Sequence, residues 1–192
     1  MIYIAKFLFI ITCFILSFSY GRNVVCQKDV WLLRGAMLFT VFADYHLMIA
    51  GQYTHGLAFF CIVQCFYIVR YGGAGKLKWA LGAAMLGTAS LFTGVPPLYA
   101  LAVTYAALFG ISLFSVMRRF KRKNNLMPMP NGRMILGGMV LFALCDINVA
   151  LFNNGPATYA ALFYTLIWVF YLPSQFLLAL SAKRFAGHWW LP

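Results

Sequence analysis

The sequence predicts an all-α polytopic transmembrane helical bundle of seven spans, with the N-terminus outside and the C-terminus cytoplasmic. Three observations carry this. The chain is 64% apolar with a mean hydropathy of +0.83, far outside the range of a soluble domain of 192 residues. Apolar runs of about 20 residues recur along it, the length that crosses about 30 Å of hydrocarbon. Basic and neutral connections alternate strictly, which fixes the side of each.

The spans fall at roughly 2–20, 31–50, 55–71, 77–94, 97–117, 134–153 and 158–182, forming a single integral membrane domain over 1–192. The first stretch reads as a helix rather than a signal peptide. It lacks a basic leading region, Lys6 interrupts it, and Phe18-Ser19-Tyr20-Gly21 offers no small-x-small cleavage site. Turn chemistry closes the spans at Tyr20-Gly21-Arg22-Asn23, Gly72-Gly73-Ala74-Gly75, Gly94-Val95-Pro96-Pro97 and Asn153-Asn154-Gly155-Pro156. The longest connection, 118–133, carries Met127-Pro128-Met129-Pro130-Asn131-Gly132 and is expected to be a mobile cytoplasmic loop. Gly82, Ala83, Ala84 and Gly87 in the fourth span, with Gly137 and Gly138 in the sixth, are the small residues that let membrane helices approach closely. Pro173 should kink the last span and free a backbone carbonyl.

The net charge of +12 is distributed as a topology signal. Arg22, Lys28 and Arg34 flank the first connection, and Arg70, Lys76 and Lys78 the third. Arg118, Arg119, Lys121, Arg122, Lys123 and Arg133 fill the fifth, while Lys183 and Arg184 follow the last span. Connections 51–55, 95–97 and 153–157 have no Lys or Arg. The basic run 118–123 therefore reads as lipid-headgroup contact, and the expected partner is the bilayer, not nucleic acid. The expected location is the plasma (inner) membrane of a bacterium. No metal or cofactor is expected. The five cysteines are odd in number and four lie within spans, forming neither a disulfide framework nor a zinc pattern. Cys61 and Cys65 share a helix face and read as packing residues. Three histidines are too few for a zinc hydrolase of the alkaline ceramidase type. There is no Gly-x-Ser-x-Gly elbow, and the last span has no Lys for retinal before Lys183.

Only three acidic side chains exist, with no Glu. Two of them, Asp44 and Asp146, lie deep inside apolar runs, where an ionisable group costs about 2.5–3.5 kcal/mol and marks a site or pathway. Asp44 lies 13 residues after Trp31, and Asp146 lies 12 after Met134, on spans running the same way. Both should sit about 18–20 Å from the inner boundary. Lys6 reaches about 6–8 Å down from the outside, close to that level. Gln64 with Tyr67 at i+3, and Gln175 with Tyr171 at i−4, add polar groups on common helix faces. His46 and Asn148 follow the aspartates at i+2, on roughly the opposite face, and are weaker members. Interhelical glue is the plain alternative for the two glutamines, and snorkelling for Lys6. Two carboxylates in low dielectric cannot both ionise cheaply, so one is expected to hold a proton while a nearby Lys⁺ keeps the other ionised. One acid beside one carboxylate is the equipment for general acid–base hydrolysis through an oxocarbenium-like state.

Local patterns then point to a family. Phe42-Ala43-Asp44-Tyr45-His46-Leu47, followed by Gly56-Leu57-Ala58-Phe59 and Gln64-Cys65-Phe66-Tyr67, resembles the YhhN/lysoplasmalogenase pattern of Gly-Asp-x-x-Leu and a Gly- and Phe-containing helix with His-x-x-Tyr. Phe142-Ala143-Leu144-Cys145-Asp146-Ile147-Asn148-Val149-Ala150 is similar to its Phe-x-x-Ser-Asp-x-x-Leu-Ala. Tyr171-Leu172-Pro173-Ser174-Gln175-Phe176-Leu177 is similar to its Tyr-x-x-Ala-Gln-x-Leu, and Lys6 matches the Lys of an early family helix. The chain departs at Ala43, Cys145, Gln64 and Ser174, where the family has Gly, Ser, His and Ala. The resemblance implies a hydrolase that cleaves the vinyl ether bond of lysoplasmalogens, giving a fatty aldehyde and glycerophosphoethanolamine or glycerophosphocholine. Asp44 and Asp146 would be catalytic, with Lys6, Gln64, Tyr67, Tyr171 and Gln175 supporting or binding the lysophospholipid. The alternative is a small proton-coupled carrier or lipid-binding membrane protein using the same aspartates.

Overall fold

The computed structural model describes residues 2–21, 23–76, 78, 81, 82, 85, 94–121 and 130–185. Six long helices lie within them: α1 (Ile2–Leu16), α2 (Gln27–Asp44), α3 (Tyr53–Gly72), α4 (Pro97–Lys121), α5 (Asn131–Asn154) and α6 (Ala160–Leu180). A π-helical turn, Tyr45–Ile49, extends α2, and single 3₁₀ turns occupy Ala74–Lys76 and Ala157–Tyr159. No strand occurs among the described residues; Val24 and Lys183 form an isolated antiparallel bridge. Five helices, α2 with its extension and α3 to α6, are long and apolar enough to cross a membrane. Exposed apolar side chains such as Val103, Phe114, Ile147 and Val169 lie along them. This is the outer face of a protein whose solvent is lipid, since a soluble monomer rarely exposes so much contiguous apolar surface.

Most of the expected fourth span, 77–94, lies outside the described residues, as do Arg22, Ala83, Ala84, Gly87, Arg122, Lys123 and the Met127–Met129 part of the long connection. The other expected boundaries shift for identifiable reasons. The first run was expected to reach residue 20, but α1 stops at Leu16. There Ser17 and Ser19 hydroxyls donate to the carbonyls of Phe14 (2.6 Å) and Leu16 (2.8 Å), the local competition by which serine ends helices. At 15 residues, α1 is about 22 Å long. The second helix starts four residues early, at Gln27, because Asp29 in its first turn is paired inside the protein. Pro97 opens α4 at the position where a missing N–H costs nothing. Pro173 does not end α6, which continues through it to Leu180.

The helices form two groups. The most extensive packing joins α5 to α6, α3 to α4, and α2 to α3. By contrast, α4 meets α5, and α2 meets α6, only sparsely, and α1 lies against α2 and α6. The α5–α6 contact is close because Gly138 has no side chain; a Cβ there would meet Leu178 Cγ at 2.8 Å. Gly137 has ordinary room and Gly82 open space, so the small-residue expectation holds at one position of these three. Helices α3 and α4 run parallel: the Cys61 thiol faces Leu101 O at one end, and Arg119 donates to Arg70 O (3.1 Å) at the other.

One end of the bundle gathers the basic residues and is tied by a buried ion pair. Arg70, expected to flank the third connection, lies in the last turn of α3, and its side chain is fully buried. Its Nε and Nη2 donate to Asp29 Oδ1 (2.9 Å) and Oδ2 (2.8 Å). Two further guanidinium protons go to Ser181 Oγ (2.9 Å) and the Tyr71 hydroxyl (3.2 Å), so one arginine holds α2, α3 and the end of α6. Around it Asn131 donates to Ser181 O (2.8 Å) and Lys183 O (2.7 Å), and the Tyr20 hydroxyl donates to Ala179 O (2.9 Å). Removing one member of a buried pair leaves the other charge uncompensated. Arg70→Met alone is expected to lose about 3–5 kcal/mol, and Arg70→Met with Asp29→Leu to recover most of it. Thermal unfolding in detergent checks both.

Candidate functional site

Asp44 is the last residue of α2, immediately before the π turn. That turn closes through Ala50 N–H to Tyr45 O (3.0 Å), and Gly51, at φ +65°, lets the chain leave it. Single π turns inside helices recur at functional sites; here the wide turn follows directly on Asp44. Asp44 is 2% exposed, and its Oδ2 accepts a 2.6 Å hydrogen bond from the Tyr171 hydroxyl of α6. Asp146, half-buried on α5, accepts a 2.7 Å hydrogen bond on Oδ2 from the Tyr105 hydroxyl of α4. Both are in the range of charge-assisted O–H···O⁻ bonds. Among the described residues, Oδ1 of each has no partner.

The two pairs are neighbours. Cys145 lies within electrostatic reach of both Asp146 and Asp44, and Tyr171 within reach of Tyr105. Aromatic rings join them: Phe142 meets Tyr171 at 5.8 Å and Phe109 at 5.4 Å, and Phe109 meets Tyr105 at 6.1 Å. Asp29, through Arg70, and Asn131 both meet Ser181 at the basic end; Asp44 lies fifteen residues beyond Asp29 and Asp146 fifteen beyond Asn131, so the carboxylates share a level about 22 Å from that end. The pairing is reciprocal across the sparsely packed seams: α2 gives Asp44 to α6, and α5 gives Asp146 to α4.

Lys6 stands elsewhere. Its Nζ sits 3.8 Å from the centroid of Trp168 and 4.6 Å from that of Tyr164, and donates to the Tyr164 hydroxyl (3.2 Å). The expected lysine–carboxylate contact is absent among the described residues, whose one salt bridge is Arg70–Asp29. Its charge rests on aromatic faces, and Trp168 in turn meets Tyr171 at 5.9 Å. His46 pairs through Nδ1 with Gln52 Oε1 (2.9 Å), and Asn148 donates to Leu144 O on its own helix (2.7 Å), so neither joins the carboxylates. Gln64, Tyr67 and Gln175 are fully buried. Among the described residues the Tyr67 hydroxyl and both polar atoms of Gln175 have no partner, and Gln64 bonds only Ser112 (2.8 Å). No group of three or more His, Cys, Asp or Glu among the described residues could hold a metal.

Sequence reasoning missed Tyr105, Trp168 and Tyr164. Eleven tyrosines and five tryptophans hide these three side chains well, but the depth count applied to the aspartates would set Tyr105 beside Asp146. Removing a hydroxyl that bonds a buried carboxylate should cost about 1–3 kcal/mol. A double-mutant cycle of Tyr171→Phe with Asp44→Asn, read by thermal unfolding, is expected to give coupling of that size; additivity would deny the bond.

A model of the YhhN family matches residues 1–182, nearly the whole chain, and the protein belongs to that family. Neither the curated proteins nor the solved structures contain a match.

Proposed function

For this member of the YhhN family we propose hydrolysis of the vinyl ether bond of lysoplasmalogens, giving a fatty aldehyde and glycerophosphoethanolamine or glycerophosphocholine. The observation that carries the reading is the reciprocal pairing of Asp44 with Tyr171 and Asp146 with Tyr105, at one level inside an apolar bundle. One aspartic acid gives its proton to the vinyl carbon distal to the ether oxygen, and the adjacent carbon becomes an oxocarbenium ion. The other carboxylate faces that cation and takes a proton from the attacking water. The hemiacetal formed then collapses to aldehyde and alcohol. Each tyrosine holds Oδ2 of its aspartate, leaving Oδ1 to face the substrate. The faces of Tyr171, Trp168 and Phe142 offer π density to the developing cation.

In the proposed arrangement the chain has seven spans, the basic end lies in the cytoplasm, and the site opens nearer the outer leaflet of a bacterial plasma membrane. Release of fatty aldehyde from lysoplasmenylethanolamine by the purified protein in detergent tests the reading. Wild type is expected to turn over, and folded Asp44→Asn and Asp146→Asn each to lose at least about a hundredfold, the scale of general acid–base catalysis. Full activity in either variant, or none in wild type, sinks it. A second reading, a proton-coupled carrier, draws on the sparse seams bridged by the two Asp–Tyr bonds. It requires substrate flux across vesicles with no chemical change.

A further inference from the structure

We propose that Lys6, seated on the faces of Trp168 and Tyr164, is the docking point for the phosphate of a lysolipid headgroup, so that the ligand is a phospholipid rather than an uncharged glycerol ether. The inference rests on the hydrolase reading for the ligand's identity. The observations behind the site itself lie on α1 and α6, apart from the carboxylates.

Lys6 is a cation with no anion beside it. Among the described residues no carboxylate pairs with it. Its Nζ lies 3.8 Å from the centroid of Trp168, 4.6 Å from that of Tyr164 and 5.9 Å from that of Tyr3. One of its three protons goes to the Tyr164 hydroxyl (3.2 Å), and the other two find no acceptor among the described residues. Aromatic faces attract the charge without cancelling it. Trp168, the ring on which the ammonium rests, carries a further donor: its Nε1 is buried and has no partner among the described residues. Unlike Arg70, Lys6 is only half-buried, and Tyr3 beside it is exposed, so this cation is within reach from outside the protein. The other described lysines and arginines belong to the basic end, from Lys28 of α2 to Lys183 and Arg184 beyond α6.

Two contacts fix the height of Lys6. Arg34 of α2 donates to Ser17 O, just past the end of α1 (3.2 and 3.1 Å). Lys6 lies eleven residues before Ser17, and Asp44 ten beyond Arg34, about 16 and 15 Å along the two helices. The next residue of each chain segment confirms the register, since Phe7 meets Tyr45 at 6.2 Å. The backbone of Lys6 is therefore level with Asp44. Its side chain runs from there away from the basic end. Trp168 precedes Tyr171 on α6 by one turn and Tyr164 by two, about 5 and 10 Å farther from that end, and the ammonium lies against both rings. Trp168 in turn meets Tyr171, the partner of Asp44, at 5.9 Å.

The ligand's dimensions fit that spacing. In a lysoplasmalogen the carbon that takes the proton is seven bonds from phosphorus, about 8–9 Å when extended. A lipid whose vinyl ether lies at Asp44, with its headgroup away from the basic end, thus carries its phosphate to Lys6. An ammonium with two free protons suits a phosphate oxygen. Because it reads the phosphate and not the group esterified to it, ethanolamine and choline lipids should gain alike.

The test measures binding in a neutral detergent. The ligands are the saturated alkyl-ether analogue of lysoplasmenylethanolamine, which has no vinyl group to protonate, and the corresponding 1-alkylglycerol, which has no phosphate. Lys6→Met should weaken the phospholipid at least about tenfold, the scale of a hydrogen bond between charged groups, and change the alkylglycerol by about twofold or less. Lys6→Gln, which keeps a donor for Tyr164, serves if Lys6→Met does not fold and should show the same selective loss. An equal loss for both lipids makes Lys6 a packing residue, and no loss for either leaves it snorkelling to the interface; each overturns the site, as does wild type binding neither lipid. Inorganic phosphate, added as a competitor, should displace the phospholipid only at a concentration at least about a hundredfold higher, since it buries no alkyl chain. Displacement at equal concentration would make the ligand free phosphate and overturn the headgroup assignment. Aldehyde release scores the hydrolase reading separately. A selective loss without aldehyde from wild type leaves the phosphate site standing alone, and aldehyde without the selective loss removes only that site.

Discussion

The structure depends on how three carboxylates are satisfied within a bundle of apolar helices. Each is held by a donor from a different helix: Asp29 by Arg70, Asp44 by Tyr171 and Asp146 by Tyr105. In lipid the hydrophobic effect supplies little force between helices, so packing and interhelical hydrogen bonds decide which helices stay together. Where backbones approach closely, as at Gly138 against Leu178, packing suffices. The two sparse seams, α2 with α6 and α4 with α5, are bridged by the Asp–Tyr bonds. The same four side chains thus close the bundle and form the candidate site, which ties the position of the chemistry to the integrity of the fold.

Much of this was legible in the sequence, and the losses have physical reasons. Hydropathy locates the five long spans because lipid rewards apolar length and little else, and it locates Asp44 and Asp146 because a carboxylate is conspicuous there. It fails at Arg70. A hydropathy reading treats an arginine near a helix end as a topology marker, and only tertiary structure brings Asp29 from another helix to neutralise it. The same omission delays the expected start of α2, since Lys28 and Asp29 look like connection residues until the pair is seen. Lys6 was placed at about the right level, but charge was matched to charge when the aromatic faces of Trp168 and Tyr164 were an alternative. The π turn after Asp44 has no clear sequence signal beyond Gly51, whose positive φ closes it.

The partner of each carboxylate also separates structure from chemistry. Arg70 meets Asp29 with two parallel bonds, so both oxygens of that carboxylate are committed. A tyrosine hydroxyl orients Asp44 or Asp146 but brings no charge. Each of these two is positioned as firmly as a packed side chain, yet can take up or release a proton without breaking an ion pair. General acid–base chemistry needs a group fixed within reach of the proton it moves, and a lysine in contact with either aspartate would tie up one of its oxygens. The displacement of Lys6 onto Trp168, next to Tyr171 but short of Asp44, therefore favours the proposed chemistry more than the expected ion pair would have done.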